Sequence, residues 1–226
     1  MTLENIDLRS RLSGGPRDQG HRPTCLAFAL SSAHEGERAS EDFPHPELSP
    51  EAIWSHAARR GRAGARGISI GAAEAALKEV GQPALADWPY DIASPVDAPA
   101  TLKDPPWLRA STIPLRLHHD AVEQDLEDAL AANHLIVLEV AVTKEFDWPD
   151  RRGVIWPAPT TAVRGRHAVA GVGVATLAGI GRCILVQNSW GNRWGLGGYA
   201  WLHMSFLTQF AYGAHSVQPI HRTALD

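Results

Sequence analysis

Cys25, His167 and Asn188 are the residues of this chain whose side-chain chemistry gains most from being brought together. A thiolate is a strong nucleophile, an imidazole can take and return a proton, and a side-chain amide can fix the imidazole in one orientation. Cys25 follows Asp18-Gln19-Gly20-His21-Arg22-Pro23-Thr24 and opens an apolar run of Leu26, Ala27, Phe28, Ala29, Leu30 and Ala33. Gly20 and Pro23 punctuate a turn, Thr24 is a competent N-cap, and the run predicts a helix buried on most sides. At the first helical position the thiol meets backbone amides and the positive end of the helix dipole, which favour thiolate once a histidine is close. Without such a partner, the same cysteine reads as a small buried core residue.

The partners lie downstream. Arg166 to Val174 and Cys183 to Asn188 have strand patterns, separated by the turn-like Leu177-Ala178-Gly179-Ile180-Gly181. A hairpin about residues 177 and 178 sets His167 opposite Asn188. The amide can then hold one ring nitrogen while the other faces a thiol.

Three blocks, in this order, resemble papain-like cysteine peptidases: Asp18-Gln19-Gly20 with Cys25-Leu26-Ala27-Phe28; His167-Ala168-Val169 with Gly171-Val172-Gly173; and Asn188-Ser189-Trp190-Gly191 with Trp194-Gly195 and Gly198-Tyr199. Weaker matches at Leu48-Ser49-Pro50-Glu51, Gly67-Ile68-Ser69-Ile70-Gly71 and Trp88-Pro89-Tyr90 extend the resemblance over nearly the whole chain. The resemblance implies that Cys25 is the nucleophile, His167 the general base and then acid, and Asn188 the orienter of His167. It implies that Gln19 and the Cys25 backbone N–H form an oxyanion hole, that Trp190 shields the His–Asn hydrogen bond, and that Trp194 packs nearby. The implied substrate-binding walls are Gly71, Ile70, Val137, Ala141, Gly165 and Trp190, a mostly apolar pocket.

The departures are informative. The family usually carries a cysteine at the position of Arg22, bridged to one at that of Ile68, and here both are absent. The tryptophan that commonly follows the nucleophile is Leu26, and the glycine two residues before it is Pro23. The glycine-rich wall that pairs with substrate backbone is reduced to Gly71, with Ile70 where a second glycine is usual.

With 226 residues and 44% hydrophobic content the chain can bury a core in one domain of two packed lobes. A formal net charge of -4 and the lack of a basic stripe with interleaved aromatics argue against nucleic acid as a partner. Lys78, Lys103 and Lys144 are the only lysines, so arginine carries nearly all the positive charge. Cys25 and Cys183 are the only cysteines, and a bridge between them would consume the nucleophile; Cys183 reads as strand packing. The first residues, Met1 to Asp7, show no apolar leader, no stretch has the ~18 to 20 apolar residues of a membrane span, and the resemblance begins near Asp7. The expectation is a cytoplasmic, bacterial-type protein without prosegment or disulfides.

Residues 34 to 48 are polar and proline-bearing. Ser49 as N-cap with Pro50 at the first helical position starts a second helix bearing Ile53, Trp54 and Ala57. Arg59-Arg60-Gly61-Arg62 reads as a solvated helix end. A third helix spans about Gly71 to Val80 and stops at Gly81. Residues 93 to 106 read as a crossing loop. Asp120 with Glu123 suggests a capping box for a helix over about 121 to 132, with Val122, Leu126, Ala129 and Leu130 on one face. His118-His119-Asp120 reads as a strand end rather than a metal site. Leu135 to Val142 is a buried strand whose one acid, Glu139, either alternates to the surface or joins the specificity pocket. The loop from Thr143 to Thr161, with Phe146, Trp148 and Trp156, is long enough to touch substrate.

The expected fold is α+β: a helical lobe over about residues 8–110 against an antiparallel, barrel-like strand lobe over about 111–220, with the site in the cleft between them. The expected reaction is hydrolysis of a peptide or isopeptide bond through a thioester, needing no metal or organic cofactor. The expected partners are a protein or peptide substrate and an activating or inhibitory protein that controls the enzyme. Two other readings stand beside it: a narrow-specificity effector protease or acyl transferase of a bacterial conflict or regulatory system, and a catalytically retired binding module.

Overall fold

The computed structural model describes residues 4–39, 45–120, 123–157 and 162–220. In chain order the elements are β1 (Ile6–Asp7), α1 (Cys25–Arg38), α2 (Pro50–Arg59), β2 (Ala63–Gly64), β3 (Gly67–Ile68), α3 (Ile70–Glu79), β4 (Arg109–Leu115), α4 (Gln124–Ala131), β5 (Ile136–Val142), α5 (Lys144–Asp147), β6 (Val154–Ile155), β7 (Gly165–Leu177), β8 (Gly181–Gln187), β9 (Tyr199–His203), α6 (Met204–Phe210) and β10 (Ala211–Ile220). The α+β expectation holds: three helices precede an eight-stranded sheet ordered β4-β10-β5-β7-β8-β9-β6, with β1 added beside β7. All its pairings are antiparallel except β6 with β9, and among the described residues the sheet does not close into a barrel.

The apolar run after Cys25 predicts a helix surrounded by protein, and α1 is that helix. Leu26 through Glu37 are all buried, and α1 packs across β5, β7 and β10. It also extends to Arg38, into the polar, proline-bearing segment 34–48. Residues 34–38 stay helical because their polar side chains are paired indoors. Glu35 accepts from the Leu48 N–H at 2.7 Å and meets Arg17 at 3.1 Å, while His34 is bonded to Gln82 at 3.0 Å.

Three helix starts differ from the sequence expectation. Thr24 and Ser49 occupy the N-cap positions without capping. The Thr24 hydroxyl shares a 2.7 Å hydrogen bond with that of Tyr90, and the Ser49 hydroxyl donates to the Trp88 carbonyl at 2.7 Å. Both tie a helix start to the 88–90 segment instead. The fourth helix begins at Gln124, and the Glu123 carboxylate reaches back to the N–H groups of His118 and His119 at 2.7 and 3.0 Å. Residues 121 and 122, including Val122 of the expected apolar face, lie outside the described residues. The α3 start is capped by Ser69, which accepts from the Ala72 N–H.

The β7–β8 hairpin has a different register from the one expected. Leu177 pairs with Gly181, so the loop is residues 178–180, and a bulge between Gly171 and Gly173 brings Ala170 opposite Gln187. Extending that pairing three residues places 190, not 188, across from His167. Asn188 lies just past the end of β8.

Candidate active site

Two loops form the approach to Cys25. Gly20 has φ of +61°, and its N–H donates to Asp18 Oδ1 at 2.8 Å. A Cβ at Gly20 would lie 2.5 Å from the Ile92 carbonyl oxygen, so only glycine fits. Gln19 is buried against the second loop: its N–H donates to the Ser189 carbonyl at 2.8 Å, and its Oε1 accepts from Ser189 Oγ at 2.6 Å. The amide orientation follows, and Nε2 donates one hydrogen to the Arg22 carbonyl at 2.6 Å. An amide nitrogen has two hydrogens, which leaves the second available to a ligand. The Gly191 N–H donates to the Arg17 carbonyl at 3.0 Å, completing the junction of the 17–20 and 188–191 segments.

Arg22, at the family's disulfide position, has become the centre of a buried clamp. Its guanidinium donates to Glu51 at 2.6 and 2.8 Å and to the carbonyls of Asp91 and Ser94 at 2.9 and 3.1 Å. It also lies 4.4 Å from the Tyr90 ring centroid. Tyr90 in turn donates its hydroxyl to the Gln19 carbonyl at 2.8 Å. Ion pair and ring thus fix the loop that precedes Cys25 to α2 and the 88–94 segment. Both cysteines are free thiols.

His167 sits on β7, paired with Val140 of β5, and its Nε2 lies 2.7 Å from Asn188 Oδ1. The Ser189 N–H also donates to that oxygen at 2.7 Å. An N–H can only donate, so the shared atom is the amide oxygen and His167 Nε2 carries the hydrogen. In the neutral ring Nδ1 is then the bare, basic nitrogen. The ring is 6% exposed, with the Trp190 ring 4.7 Å and the Phe146 ring 5.6 Å away, centroid to centroid. Trp194 packs 5.4 Å from Phe146 and donates its indole N–H to the Phe146 carbonyl at 3.0 Å.

Burial governs both reactive groups. It pushes the Cys25 thiol up, against backbone hydrogen bonds at Ala168, Leu26 and Cys25 itself, and the Glu139 charge adds to the rise. It pushes His167 down to about 4, against the hydrogen bond that the ring donates to Asn188. Neither charge is favoured alone. Transfer of the thiol proton to the imidazole creates both charges at once.

Cys25 and His167 line two cavities that meet at the site. The larger, about 990 Å³, is also lined by Ile70, Glu139, Arg62, Arg66, Arg166 and the backbone of β2 and β3. The smaller, about 670 Å³, takes in Gln19, Gly165, Trp190, Val142, Arg164 and Tyr212. Of the walls expected from sequence, Ile70 lines the larger cavity, and Gly165 and Trp190 line the smaller. Val137 and Ala141 are fully buried and line neither cavity, and Gly71 is exposed outside both. Alternation does not separate them, because Val137, Glu139 and Ala141 share one face of β5; the reason is reach, and the long middle side chain is the one that lines the cavity. Glu139 lies over Gly213, where an added Cβ would come within 2.9 Å of its carboxylate. The pocket is charged rather than mostly apolar.

Phe146 belongs to the loop that is long enough to touch substrate, yet it is fully buried between His167, Trp190, Trp194 and Phe206. Its neighbour Trp148 is 78% exposed, Trp156 stacks on His203 at 4.2 Å, and residues 158–161 of that loop lie outside the described residues. Phe146 and Arg22 are the supporting residues sequence reasoning missed. A lone aromatic after Thr143 and an arginine in a polar turn carry no periodic signal. Among the described residues no group of three or more His, Cys, Asp or Glu could hold a metal ion, and no helix is long and apolar enough to cross a membrane. His118 bonds Asp125 at 2.9 Å.

A helix-borne cysteine and a sheet-borne histidine meeting at one cleft, in an α+β chain with an open antiparallel sheet, is the architecture of a two-lobed thiol protease. The model of the papain family cysteine proteases matches residues 3–217, and the chain belongs to that family. It is 28% identical over 203 residues to cysteine proteinase 3 of Dictyostelium discoideum, covering 89% of this chain and 58% of that protein. It is 26% identical over 183 residues to a cathepsin L-like proteinase of Fasciola hepatica, covering 81% and 54%. The chain thus spans just over half the length of these curated relatives. In fold it is similar to xylellain, a cysteine protease from Xylella fastidiosa, with TM-score 0.74, 22% identity, and 96% and 86% of the two chains covered. It is likewise similar to the digestive procathepsin L 3 of Tenebrio molitor larval midgut, with TM-score 0.74, 20% identity, and 98% and 71% covered.

Proposed function

We propose that this chain hydrolyses peptide bonds of protein or peptide substrates, with Cys25 as nucleophile, His167 as base and then acid, and Asn188 as orienter. The observation that carries this reading is the hydrogen bond from His167 Nε2–H to Asn188 Oδ1, which leaves Nδ1 as the proton acceptor at the cavity lined by Cys25. As Nδ1 takes the thiol proton, Sγ attacks the carbonyl carbon. The developing oxyanion is met by the Cys25 N–H and the second Gln19 Nε2 hydrogen. His167 returns the proton to the leaving amine, giving a thioester. Water then attacks it, delivering a proton to Nδ1, and the proton passes to the departing Sγ as the acid is released. Two free thiols and the Arg22–Glu51 pair at the family's disulfide position support action in a reducing compartment such as the cytoplasm.

The test is labelling with an epoxide or vinyl sulfone peptide probe, read by intact mass, on wild type, Cys25→Ala and His167→Ala. One label on wild type, lost in both variants, is expected. A folded wild type that takes no label at Cys25 would instead favour the retired binding module.

A further inference from the structure

We infer that the cleft selects peptides bearing Asp or Glu on both sides of the scissile bond, and that Arg62, Arg66 and Arg166 make the selection. The inference rests on the peptidase reading above. The chain as a whole is acidic, with a formal net charge of -4. Its cleft is not. The larger cavity presents Arg62, Arg66 and Arg166 against the single acid Glu139, and the smaller presents Arg66, Arg164 and Arg166 with no acid.

Arg164 is neutralised by Asp147. The other three form no ion pair among the described residues, so the charge they bring to the cleft is not offset by a bonded carboxylate. Unmatched guanidinium charge is thus placed on the two walls a bound chain would pass between. Arg66 stands at the turn of the β2–β3 hairpin and lines both cavities, Arg62 leads into that hairpin, and Arg166 stands on the opposite wall directly before His167. Arg166 is held in place by the Tyr212 ring, 4.5 Å from its guanidinium.

A guanidinium presents a planar fork that matches a carboxylate, and like-signed charge lining a concave wall attracts the opposite charge from solution. Glu139 keeps its own position in the larger cavity for a side chain that is not acidic. Acidic residues are therefore taken at the rim, by the three arginines.

The test uses three internally quenched peptides that differ only in carrying Glu, Gln or Lys on both sides of one scissile bond. Wild type, Arg62→Glu/Arg66→Glu and Arg166→Gln are compared at low and high salt. Each peptide is also scored for protecting Cys25 from iodoacetamide, which reads preference even without turnover. For wild type the Glu peptide is expected to exceed the Lys peptide in kcat/KM roughly tenfold at low salt, as several rim pairs of modest strength would give. The ratio should shrink with added salt. It should invert in the double variant and fall in Arg166→Gln. Equal cleavage or equal protection by the three peptides, or a ratio that the variants leave unmoved, overturns this inference alone. A folded wild type whose Cys25 neither alkylates faster than Cys183 nor supports any cleavage overturns the peptidase reading itself.

Discussion

Arg22 and Glu51 form a buried, two-pronged ion pair that anchors the loop leading into Cys25, at the position where the family resemblance leads one to expect a covalent bridge. The pair ties that loop to α2, whereas the bridge would have tied it to the position of Ile68 in β3. Its character is different, because each partner is buried and depends on the other for its solvation.

Removing one partner should therefore be costly. Arg22→Ala leaves Glu51, which is fully buried, without a counter-charge, and the expected loss is about 3–5 kcal/mol. For a chain of this size that lowers Tm by on the order of 10 °C. The apolar double variant Arg22→Met/Glu51→Leu should recover most of it, since no lone charge remains. Thermal unfolding of the three proteins checks this, and a double variant no better than the single one would count against it.

Gly20→Ala should damage catalysis more than its size suggests. The backbone there has φ of +61° and a Cβ would press on the Ile92 carbonyl. A cost of about 1–3 kcal/mol follows. Because Gln19 is the adjacent residue, the strain moves the amide assigned to the oxyanion. The expected signature is a fall in kcat with little change in KM, measured on one peptide substrate.

Stability should decline on acidification from neutrality toward pH 4. Burial holds His167 and His34 down at about 4, well below the 6.5 of a free imidazole. Between those values the unfolded chain binds protons that the folded chain refuses, so stability is full above about 6.5 and is lost as pH falls. Glu35, raised to about 6 by burial, works in the opposite sense between 4.5 and 6, but it is one group with a smaller shift. His34→Asn, which can keep a donor for Gln82, should flatten the slope of Tm against pH between 4 and 6.5. An unchanged slope would show that His34 is not a source of it.

Glu139→Gln should make Cys25 more acidic. Burial is the main reason the thiol is held up, and the Glu139 charge is a smaller contributor of the same sign. The midpoint of the pH dependence of iodoacetamide alkylation at Cys25 should move down in the variant. A midpoint that moves up would reverse the sign assigned to Glu139.

The helices and strands were largely legible because their apolar spacing is regular. The Cys25 helix, the Ile70–Glu79 helix and the strands around His167 and Asn188 are found near where periodicity and turn residues put them. The meeting of His167 with Asn188 was reached through a hairpin register that the bulge at Gly171 and Gly173 and the 178–180 loop both alter. Contact survives because Asn188 has left the ladder and can turn toward the ring, while Trp190 packs against that ring and bridges to Asp18. The pocket walls were least legible. Choosing among Val137, Glu139 and Ala141 requires knowing how far each side chain reaches from a shared strand face. The partner of Arg22 was equally hidden, since Glu51 lies on another helix.

Strand β10 lies between β4 and β5, and α1 rests against it. It is the last strand along the described chain, yet it is interior to the sheet. The wall carrying Glu139 and His167, and the seat of the helix carrying Cys25, therefore depend on a strand that is distant in sequence from the partners it joins. The cleft is held by long-range pairing, and loosening residues 211–220 would part β4 from β5 and unseat the Cys25 helix together.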